Sequence, residues 1–360
     1  MAVNREQFIE ALKERGAKVV EVLNRKEYEQ SFNPEEIREA VYSYLNRPAK
    51  RLRPSILLFS CGAVGGDEAV ALPAAAAVEV YHTWTLIHDD IIDKDAKRRG
   101  FPTVHEQFRT LALGRDYSQP DAVDYGRNMA ILAGDLQQAW SVQLLQETAG
   151  FGVKKEVVLE LIAELIGLTK GLLEGEVLDV IFAKRDIRDL NETEVLKMLE
   201  LKTGLLYEFA GIAGASIGLG RTDDETGMIK AIGSFARKCG TAFQLQDDIL
   251  GIVGDEKRLG KPVGSDIREG KRTVIVLHAF RNADSKGRDY LLSKLGDPCL
   301  SPEEVDRIRQ ILLDYNGVDY AKSLAETIVD RAIEELAPLP ESEYKELLLA
   351  WANYVVDREK

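Results

Sequence analysis

The sequence predicts an all-α fold, built as one helical bundle. Three long stretches, Glu68–Asp93, Lys154–Ile181 and Lys230–Val253, carry many apolar residues with little sustained alternation of period two. Neither a repeat of 20–50 residues nor an alternation of strands and helices is visible along the chain. We therefore expect a single domain over residues 1–360.

Local signals support the helices in chain order. Asn33 precedes a proline, and Asn191 and Ser301 are each followed three residues later by a glutamate, as expected at helix starts. Gly214 and Gly218 lie among alanines and predict a face that another helix can approach closely. Residues 109–127 hold Gly, Ser, Pro and Asp in turn-like clusters between two predicted helices, so we expect a loop insertion there.

Composition excludes several classes of protein. The apolar share of 45% and charged share of 30% are typical of a globular chain. The net charge of −13 disfavours a nucleic-acid partner. The three cysteines lie far apart without metal-type spacing, and the late apolar stretch Phe209–Leu219 is too short to span a bilayer. The charged N-terminal segment does not resemble a signal peptide, so we expect a cytoplasmic protein without an integral membrane segment.

The first group of candidate functional residues lies in the segment HDDIIDKDAKRRG. On a helix, Asp89 and Asp93 lie one turn apart on one face, and Asp90 flanks them. Carboxylates with phosphate oxygens suit Mg²⁺, and Arg98 and Arg99 match phosphate geometry. A solvated acidic run or simple salt bridges would give the same residue types. The end of a nearly continuous apolar helix is a poor place for unpaired charge, which favours a metal–diphosphate clamp.

A second acidic pair, Asp247 and Asp248, also ends an apolar helix. The segment that follows it is rich in glycine and in basic residues, among them Lys261, Lys271 and Arg272. Glycines allow the backbone to approach a ligand closely. If the two acidic pairs face each other, they could hold several Mg²⁺ ions around one diphosphate.

A third cluster is basic and lies in the segment PAKRLRP. Lys50, Arg51 and Arg53 stand between prolines, which places them on a turn that leads into a helix. Alone, this cluster would be a solvated basic patch. Together with the acidic pairs it is a candidate for a second anion site that needs no metal.

With these motifs the chain resembles the trans-prenyltransferases, the isoprenyl diphosphate synthases that add isopentenyl diphosphate to an allylic diphosphate. The resemblance covers nearly the whole chain, through the segments KRLRP, LIHDDIID, RRGFPTVH, LAGD, KTG, FQLQDD and GKPVGSDIREGKRT. It implies an all-α bundle of the isoprenoid synthase type around a central cavity, usually a homodimer. It also implies Mg²⁺ as the cofactor, with three ions in each active site.

The resemblance also implies roles for particular residues. The catalytic and metal-binding carboxylates would be Asp89, Asp90, Asp93, Asp247 and Asp248. The isopentenyl diphosphate site would consist of Lys50, Arg53, His82 and Arg99. The allylic diphosphate site would consist of Arg98, Lys202, Thr203, Gln244, Lys261 and Lys271, with Lys202 and Lys261 also counted as catalytic.

Two positions depart from the family pattern. Gly251 stands where the second aspartate motif usually ends in a third aspartate, so we expect weaker metal ordering and a lower Mg²⁺ requirement in a Gly251→Asp variant. Pro48 and Ala49 stand where glycines usually precede the basic motif, which predicts a stiffer loop with Lys50 and Arg53 intact.

Product length is predicted from residues that precede the first aspartate. At 1.5 Å per residue, Trp84 lies about 7.5 Å and Tyr81 about 12 Å back along the helix axis, on a shared face with Thr85 nearby. Two rings at that depth can close the cavity after a few condensations, and the alternative is that both rings are core packing. An aromatic residue at this position also resembles the short-chain synthases of the family. We therefore expect geranylgeranyl diphosphate as the product, with farnesyl diphosphate as the next candidate.

The predicted function is a Mg²⁺-dependent head-to-tail condensation of isopentenyl diphosphate with dimethylallyl, geranyl or farnesyl diphosphate. Two alternatives remain open. A class I terpene cyclase would share the first aspartate motif but would need no second basic site. A non-catalytic subunit of a heteromeric prenyltransferase tends to lose one or both aspartate motifs, and this chain keeps both.

Overall fold

The computed structural model describes residues 3–254 and 264–357, which are predominantly helical. The all-α class predicted from the sequence is confirmed. Over the described ranges the one sheet is an antiparallel pair of two-residue strands, β1 (Lys97–Arg98) and β2 (Phe101–Pro102), with Arg98 opposite Phe101.

The helices follow in chain order. The first half of the chain forms α1 (Arg5–Leu23), α2 (Lys26–Ser31), α3 (Glu35–Tyr42), α4 (Leu52–Ala63), α5 (Leu72–Ile92), α6 (Val104–Leu113), α7 (Gln119–Glu147) and α8 (Lys155–Lys184). The second half forms α9 (Glu192–Leu199), α10 (Leu205–Leu219), α11 (Met228–Val253), α12 (Ser265–Glu269), α13 (Val274–Asn282), α14 (Ser285–Lys294), α15 (Pro302–Asp314), α16 (Gly317–Glu335) and α17 (Glu343–Val356). Short 3₁₀ helices lie at Glu68–Ala71, Thr148–Phe151 and Ile187–Asp189, and a π-helical turn spans Glu200–Gly204.

The chain divides into two compact units. The first consists of Met1–Leu165, Ala210–Lys230 and Leu339–Leu348. Its central helix is α5, which begins with a proline in its first turn, continues through a run of buried alanines and packs against α1, α4 and α7. Because this helix is apolar on nearly all sides, it is stable only when other helices surround it.

A close helix contact in the first unit depends on glycine. A Cβ atom at Gly214 would lie 2.0 Å from the carbonyl oxygen of Leu57, and one at Gly218 would lie 2.6 Å from that of Cys61. No larger residue fits at these distances. The close approach predicted for this small-residue face is therefore confirmed.

The second unit consists of Ile166–Phe209, Ala231–Pro338 and Leu349–Lys360. Within it α13 packs against α15 and α16. An aromatic cluster also lies in its core, where the Trp351 ring centroid is 5.1 Å from that of Tyr207 and 5.6 Å from that of Phe235. The prediction of a single domain is not tested by this division and stays a prediction.

Most predicted helix features are confirmed. The three long apolar stretches correspond to α5, α8 and α11, and Asn191 and Ser301 each form a complete capping box. The helix start predicted at Asn33 is one residue too early, because Pro34 is the N-cap residue of α3 and no side chain caps this end.

The loop insertion predicted at 109–127 is wrong for most of its length. α6 continues to Leu113, α7 begins at Gln119, and only residues 114–118 lie outside helices. Ser118 accepts a hydrogen bond from the backbone N–H of Asp121, and Pro120 lies in the first turn. Cap and proline together start α7 early, so the polar residues that indicated a loop form its first turns.

By length and composition, one helical stretch of the described residues, Glu68–Ile92, could cross a bilayer. In its most apolar window 72% is buried inside the protein, as in a core helix.

Candidate active site

The first aspartate motif lies at the C-terminal end of α5, in the first unit. Asp89 is in the last turn of the helix, and Asp93 is its C-cap residue, whose N–H donates to the carbonyl oxygen of Asp89 over 2.8 Å. The two side chains are partly exposed, while the body of the helix is buried. The structure thus places two carboxylates one turn apart where a buried helix reaches the surface of its unit.

Asp90 differs from its two neighbours, because it is fully buried and bonded to protein groups. The Nε group of Arg98 donates to both of its carboxylate oxygens, over 2.8 and 2.9 Å, and Arg98 Nη2 lies 2.6 Å from Oδ1. The hydroxyl of Tyr44 donates to its Oδ2. Both oxygens of Asp90 are therefore engaged by protein donors, which does not match its predicted place among the metal ligands.

The charges of this pair depend on each other. Burial raises the pKa of Asp90, against the opposing effect of the Arg98 charge and the hydrogen bonds from Arg98 and Tyr44. Burial alone would lower the pKa of Arg98, but the Asp90 and Asp89 carboxylates raise it well above its usual value. Arg98 Nη2 also lies 3.2 Å from Asp89 Oδ2, so the guanidinium joins the buried and the accessible aspartate.

The hairpin that carries Arg98 turns at Arg99 and Gly100. Both have positive φ angles, 53° and 81°, as expected for a two-residue turn that matches the twist of the strands. Glycine adopts this conformation readily and arginine seldom does. The turn places two arginines in succession next to the aspartate motif.

The basic cluster lies in the same unit as the first aspartate motif. Arg53 Nη1 is 3.1 Å from His82 Nε2, and since arginine only donates, the imidazole nitrogen accepts. Burial, followed by the charges of Arg53 and Arg99, lowers the pKa of His82 well below its usual value, against the effect of Asp89. A neutral His82 thus holds Arg53 in place.

Glu79 and Arg51 organise this cluster, although neither is among the predicted ligands. Glu79 is buried on α5, where burial raises its pKa and the charges of Arg51, Arg99 and Arg53 lower it. Arg51 lies 3.5 Å from Glu79, has a left-handed backbone (φ 47°) and donates to the carbonyl oxygen of Leu45 over 2.7 Å. Three cations thus gather around one buried carboxylate.

Lys50 is exposed on the segment that precedes α4, outside regular secondary structure. Pro48 and Ala49 precede it there, and the carbonyl oxygen of Ala49 accepts a bond of 3.3 Å from Arg51. The stiffness expected from Pro48 and Ala49 stays a prediction.

The second aspartate motif lies on α11, in the part assigned to the second unit. Asp248 is 8% exposed, and its Oδ1 accepts a bond of 3.1 Å from the Nε2 group of Gln244. The hydroxyl of Thr203 in turn donates to Oε1 of Gln244 over 3.0 Å. Burial raises the pKa of Asp248 well above its usual value, and the charge of Asp266 adds to this effect. Predicted residues of the KTG and FQLQDD segments are thus connected.

Lys202 lies on the π-helical turn between α9 and α10. Its ammonium group is 2.7 Å from Asp179 and 2.9 Å from Glu176, both on α8, and Lys271 lies 3.6 Å from Asp179. π-helical turns occur frequently at functional sites. Sequence reasoning missed Asp179 and Glu176, although their spacing of three residues on one predicted helix was a usable signal. Lys261 lies outside the described residues.

Gly251 has the carboxylate of Asp266 beside it. A Cβ atom at Gly251 would lie 2.8 Å from Asp266 Oδ2, too close for both atoms to keep their positions. The space next to the second aspartate motif therefore already contains a carboxylate, which comes from α12 instead of α11.

The residues predicted to set product length form an aromatic row on α5. The rings of Tyr81 and Trp84 are 4.9 Å apart and nearly perpendicular, and Trp84 lies 6.0 Å from the His88 ring. Both predicted rings are buried, at 0% and 6% exposure, and the hydroxyl of Thr85 donates to the carbonyl oxygen of His82. The shared face is confirmed, whereas its effect on product length stays a prediction.

The donor set suits Mg²⁺ bound together with phosphate. No group of three or more His, Cys, Asp or Glu side chains that could hold a metal ion is found in residues 3–254 and 264–357. Mg²⁺ usually takes one or two carboxylates together with substrate phosphates and water. Asp89 and Asp93 offer that number of carboxylates, with Arg98 beside them as a phosphate donor.

Comparisons with known proteins point to one family. The family model described as polyprenyl synthetase matches residues 34–312. The chain is 35% identical over 326 residues to geranylgeranyl diphosphate synthase of Saccharolobus solfataricus, covering 90% of this chain and 91% of that protein. It is also 35% identical to geranylfarnesyl diphosphate synthase of Aeropyrum pernix, with 92% and 96% covered.

A solved structure resembles the fold over its full length. It is geranylgeranyl pyrophosphate synthase from Corynebacterium glutamicum, complexed with isoprenyl diphosphate and magnesium. The TM-score is 0.85 at 25% sequence identity, with 99% of this chain and 100% of that chain covered.

Proposed function

The chain belongs to the polyprenyl synthetase family and is a short-chain trans-prenyltransferase, and from this premise we propose that it makes geranylgeranyl diphosphate in a Mg²⁺-dependent reaction. Isopentenyl diphosphate and an allylic diphosphate are its proposed substrates. The observation that carries the proposal is the geometry at the end of α5. Asp89 and Asp93 lie there one turn apart, with Arg98 bonded beside them.

The reaction needs a stabilised leaving group. Mg²⁺, when bound, would act as a Lewis acid on the departing diphosphate. We assign Asp89 and Asp93 as its ligands in the first unit. Asp247 stays the ligand predicted from the sequence for the second aspartate motif, in a proposed total of three ions. Asp90 instead holds Arg98, because both of its oxygens are bonded to protein donors.

Cationic side chains of the protein would also stabilise the departing diphosphate. Breaking the allylic carbon–oxygen bond places negative charge on diphosphate, and Arg98 in the first unit would stabilise it as a fixed donor. Lys202 and Lys271 in the second unit stay allylic-diphosphate residues predicted from the sequence. Lys202 is already held by two carboxylates, which limits the reorganisation needed at the moment of reaction.

Isopentenyl diphosphate, the second substrate, needs a site that binds its diphosphate without breaking the carbon–oxygen bond. We assign its diphosphate to Lys50, Arg53, His82 and Arg99. Here positioning contributes most, because the isopentenyl double bond must lie close to the allylic cation. Neutral His82 accepts a hydrogen bond from Arg53 and so fixes the orientation of the Arg53 guanidinium. Released diphosphate would then take the final proton from the condensed product.

The proposed product length rests on the names of the relatives and on the aromatic row of α5. The relatives' names include both geranylgeranyl and geranylfarnesyl diphosphate synthases. The buried pair Tyr81 and Trp84 favours the shorter of these two products, and farnesyl diphosphate is the next candidate.

A homodimer is part of the proposal. The long helix α7 exposes apolar side chains at Ile131, Leu132 and Leu136, of which Leu132 is 53% exposed. A second copy would cover such a face. Light scattering during size-exclusion chromatography tests this, with a Leu132→Glu variant expected to elute as a monomer. Location in the cytoplasm and the absence of a nucleic-acid partner stay predictions from the sequence.

One incubation tests the function. The protein is mixed with Mg²⁺, dimethylallyl diphosphate and labelled isopentenyl diphosphate, and the extracted product is analysed by chromatography. A linear twenty-carbon product supports the proposal. The comparisons give no support to the two alternatives, a terpene cyclase or a non-catalytic subunit. A cyclic hydrocarbon formed from a longer diphosphate would indicate the former, and activity only with a second protein the latter.

A further inference from the structure

Tyr44 connects three parts of the first unit that the predicted substrate sites use. Its hydroxyl donates to Asp90 Oδ2 and accepts the backbone N–H of Val104 over 3.2 Å. Burial and the neighbouring Asp90 carboxylate raise the pKa of Tyr44 well above its usual value, so the hydroxyl keeps its proton at working pH. Tyr44 itself is buried and lies a few residues before the basic cluster.

The hydroxyl determines where Asp90 can lie. Asp90 is fully buried and has two kinds of side-chain donor, Tyr44 on one side and Arg98 on the other. Arg98 holds it in a two-oxygen contact through Nε. A carboxylate fixed from both sides has one orientation, and that orientation sets the plane of the Arg98 guanidinium.

The ring of Tyr44 acts on the same hairpin by a second route. The guanidinium carbon of Arg47 lies 4.9 Å from the centroid of the Tyr44 ring and 5.3 Å from that of Phe101. Phe101 is the residue directly opposite Arg98 in the β1–β2 pair. Cation–π contacts at such distances contribute to fixing the partners. The hairpin is therefore held at Arg98 by the hydroxyl and at Phe101 by the ring.

We propose that Tyr44 is a positioning residue for the allylic diphosphate, acting on Arg98 through Asp90 and on the opposite strand through Arg47. It touches neither substrate. The inference rests on the proposed function, in which Arg98 binds the allylic diphosphate. Its consequence is selective, because the contacts of Arg53 with His82 do not involve Tyr44.

Tyr44→Phe is the sharpest test, since it removes the hydroxyl and keeps the ring against Arg47. Hydrogen bonds to charged groups are stronger than hydrogen bonds between neutral groups. We expect the KM for the allylic diphosphate to rise about tenfold and kcat to fall, because Arg98 also stabilises the departing diphosphate, while the KM for isopentenyl diphosphate changes less than twofold. A rise in both KM values to the same extent, or in neither, would overturn the proposal.

Tyr42→Phe is a matched control from the same segment. The Tyr42 side chain is also buried, and its hydroxyl donates to the carbonyl oxygen of Leu23 over 2.8 Å, away from Asp90. Both variants should lower the midpoint of thermal unfolding, because both lose a buried hydrogen bond. Only Tyr44→Phe should raise the allylic KM. An equal allylic effect in Tyr42→Phe would mean that the change is a general consequence of lost stability.

Two further variants test whether Tyr44 acts through Arg98 and Arg47. In an Arg98→Lys background, which cannot make the two-oxygen contact, Tyr44→Phe should change the allylic KM less than twofold. A full tenfold effect there would refute action through Arg98.

If Tyr44→Phe does not fold, Arg47→Met is measured instead. We expect it to raise the allylic KM selectively, by about threefold, and no rise would overturn the proposal. A wild-type enzyme that forms no prenyl product would refute the proposed function, whereas an active wild type with an unselective Tyr44→Phe refutes this inference alone.

Discussion

Replacing Asp266 by asparagine tests whether its carboxylate serves in place of the aspartate that Gly251 lacks. Asp266 Oδ2 lies 2.8 Å from where a Cβ atom at Gly251 would stand, and its charge acts on buried Asp248. Asparagine has the same shape and no charge. The variant therefore separates an electrostatic role in metal binding from a packing role in α12.

We expect Asp266→Asn to stabilise the protein without metal but to weaken its binding of Mg²⁺. Without metal, two carboxylates beside each other repel, so removing one should stabilise the protein. Two like unit charges a few ångströms apart at a largely hydrated site repel by about 1 kcal/mol, which is the expected gain in the free energy of unfolding. For a chain of this length that corresponds to a rise of about 1–2 °C in the midpoint of thermal unfolding. With Mg²⁺, the lost ligand charge should raise the concentration for half-maximal rate about tenfold.

Two measurements on the same preparations give the answer. Thermal unfolding is followed by circular dichroism in a chelating buffer, and the rate is titrated with Mg²⁺ at saturating substrates. Asp306→Asn is the control, because Asp306 is an exposed carboxylate of the same unit that pairs with Arg309 at 3.1 Å. It should change neither quantity. A lower unfolding midpoint together with an unchanged Mg²⁺ titration for Asp266→Asn would refute the reasoning, since that pattern indicates packing alone.

The same geometry changes what is expected of Gly251→Asp. The sequence alone suggests that restoring the usual aspartate lowers the Mg²⁺ requirement. In the structure the new side chain would compete with Asp266 for one space. We therefore expect Gly251→Asp to lower the unfolding midpoint without metal, and to lower the Mg²⁺ requirement only when Asp266→Asn is added. A lower requirement in the single variant would contradict this view.

Three further predictions follow from the site. Asp89→Ala should reduce kcat by several orders of magnitude with an unchanged circular dichroism spectrum, and a loss below tenfold would remove Asp89 from the metal ligands. Arg53→Ala should mainly raise the KM for isopentenyl diphosphate, because that diphosphate does not leave in the step, and a selective rise in the allylic KM would reverse the assignment of the two sites. Trp84→Ala and Tyr81→Ala should each yield longer products on chromatography and lower stability by about 3–5 kcal/mol, and an unshifted product distribution in both would place the limit on another helix.

Sequence patterns predicted the helices well where the signal was local. The apolar run of α5 and the capping boxes at Asn191 and Ser301 depend on residues within a few positions of each other. The loop prediction at 109–127 failed because turn-forming residues are also tolerated in the first turns of a helix once a cap precedes them. Composition alone could not separate these two cases.

The site shows a different limit. The cations and aspartates were found because they stand in short, dense motifs, whereas their partners lie far away in sequence. Asp179 meets Lys202 across 23 residues, and Tyr44 meets Asp90 across 46. A single carboxylate or tyrosine on a predicted helix carries no local signal for such a contact. Only the packing of the helices brings these pairs together.

Burial, more than residue type, divides the carboxylates of this protein by role. Asp90 and Glu79 are buried, and each lies against arginines that the substrates are proposed to use. Asp89 and Asp93 are partly exposed at the end of the same helix. A buried carboxylate without cations would be strongly unfavourable, so its arginines are fixed before any substrate arrives. Because that order is established during folding, diphosphate binding need not restrict those side chains again, and more of the binding energy remains for the reaction.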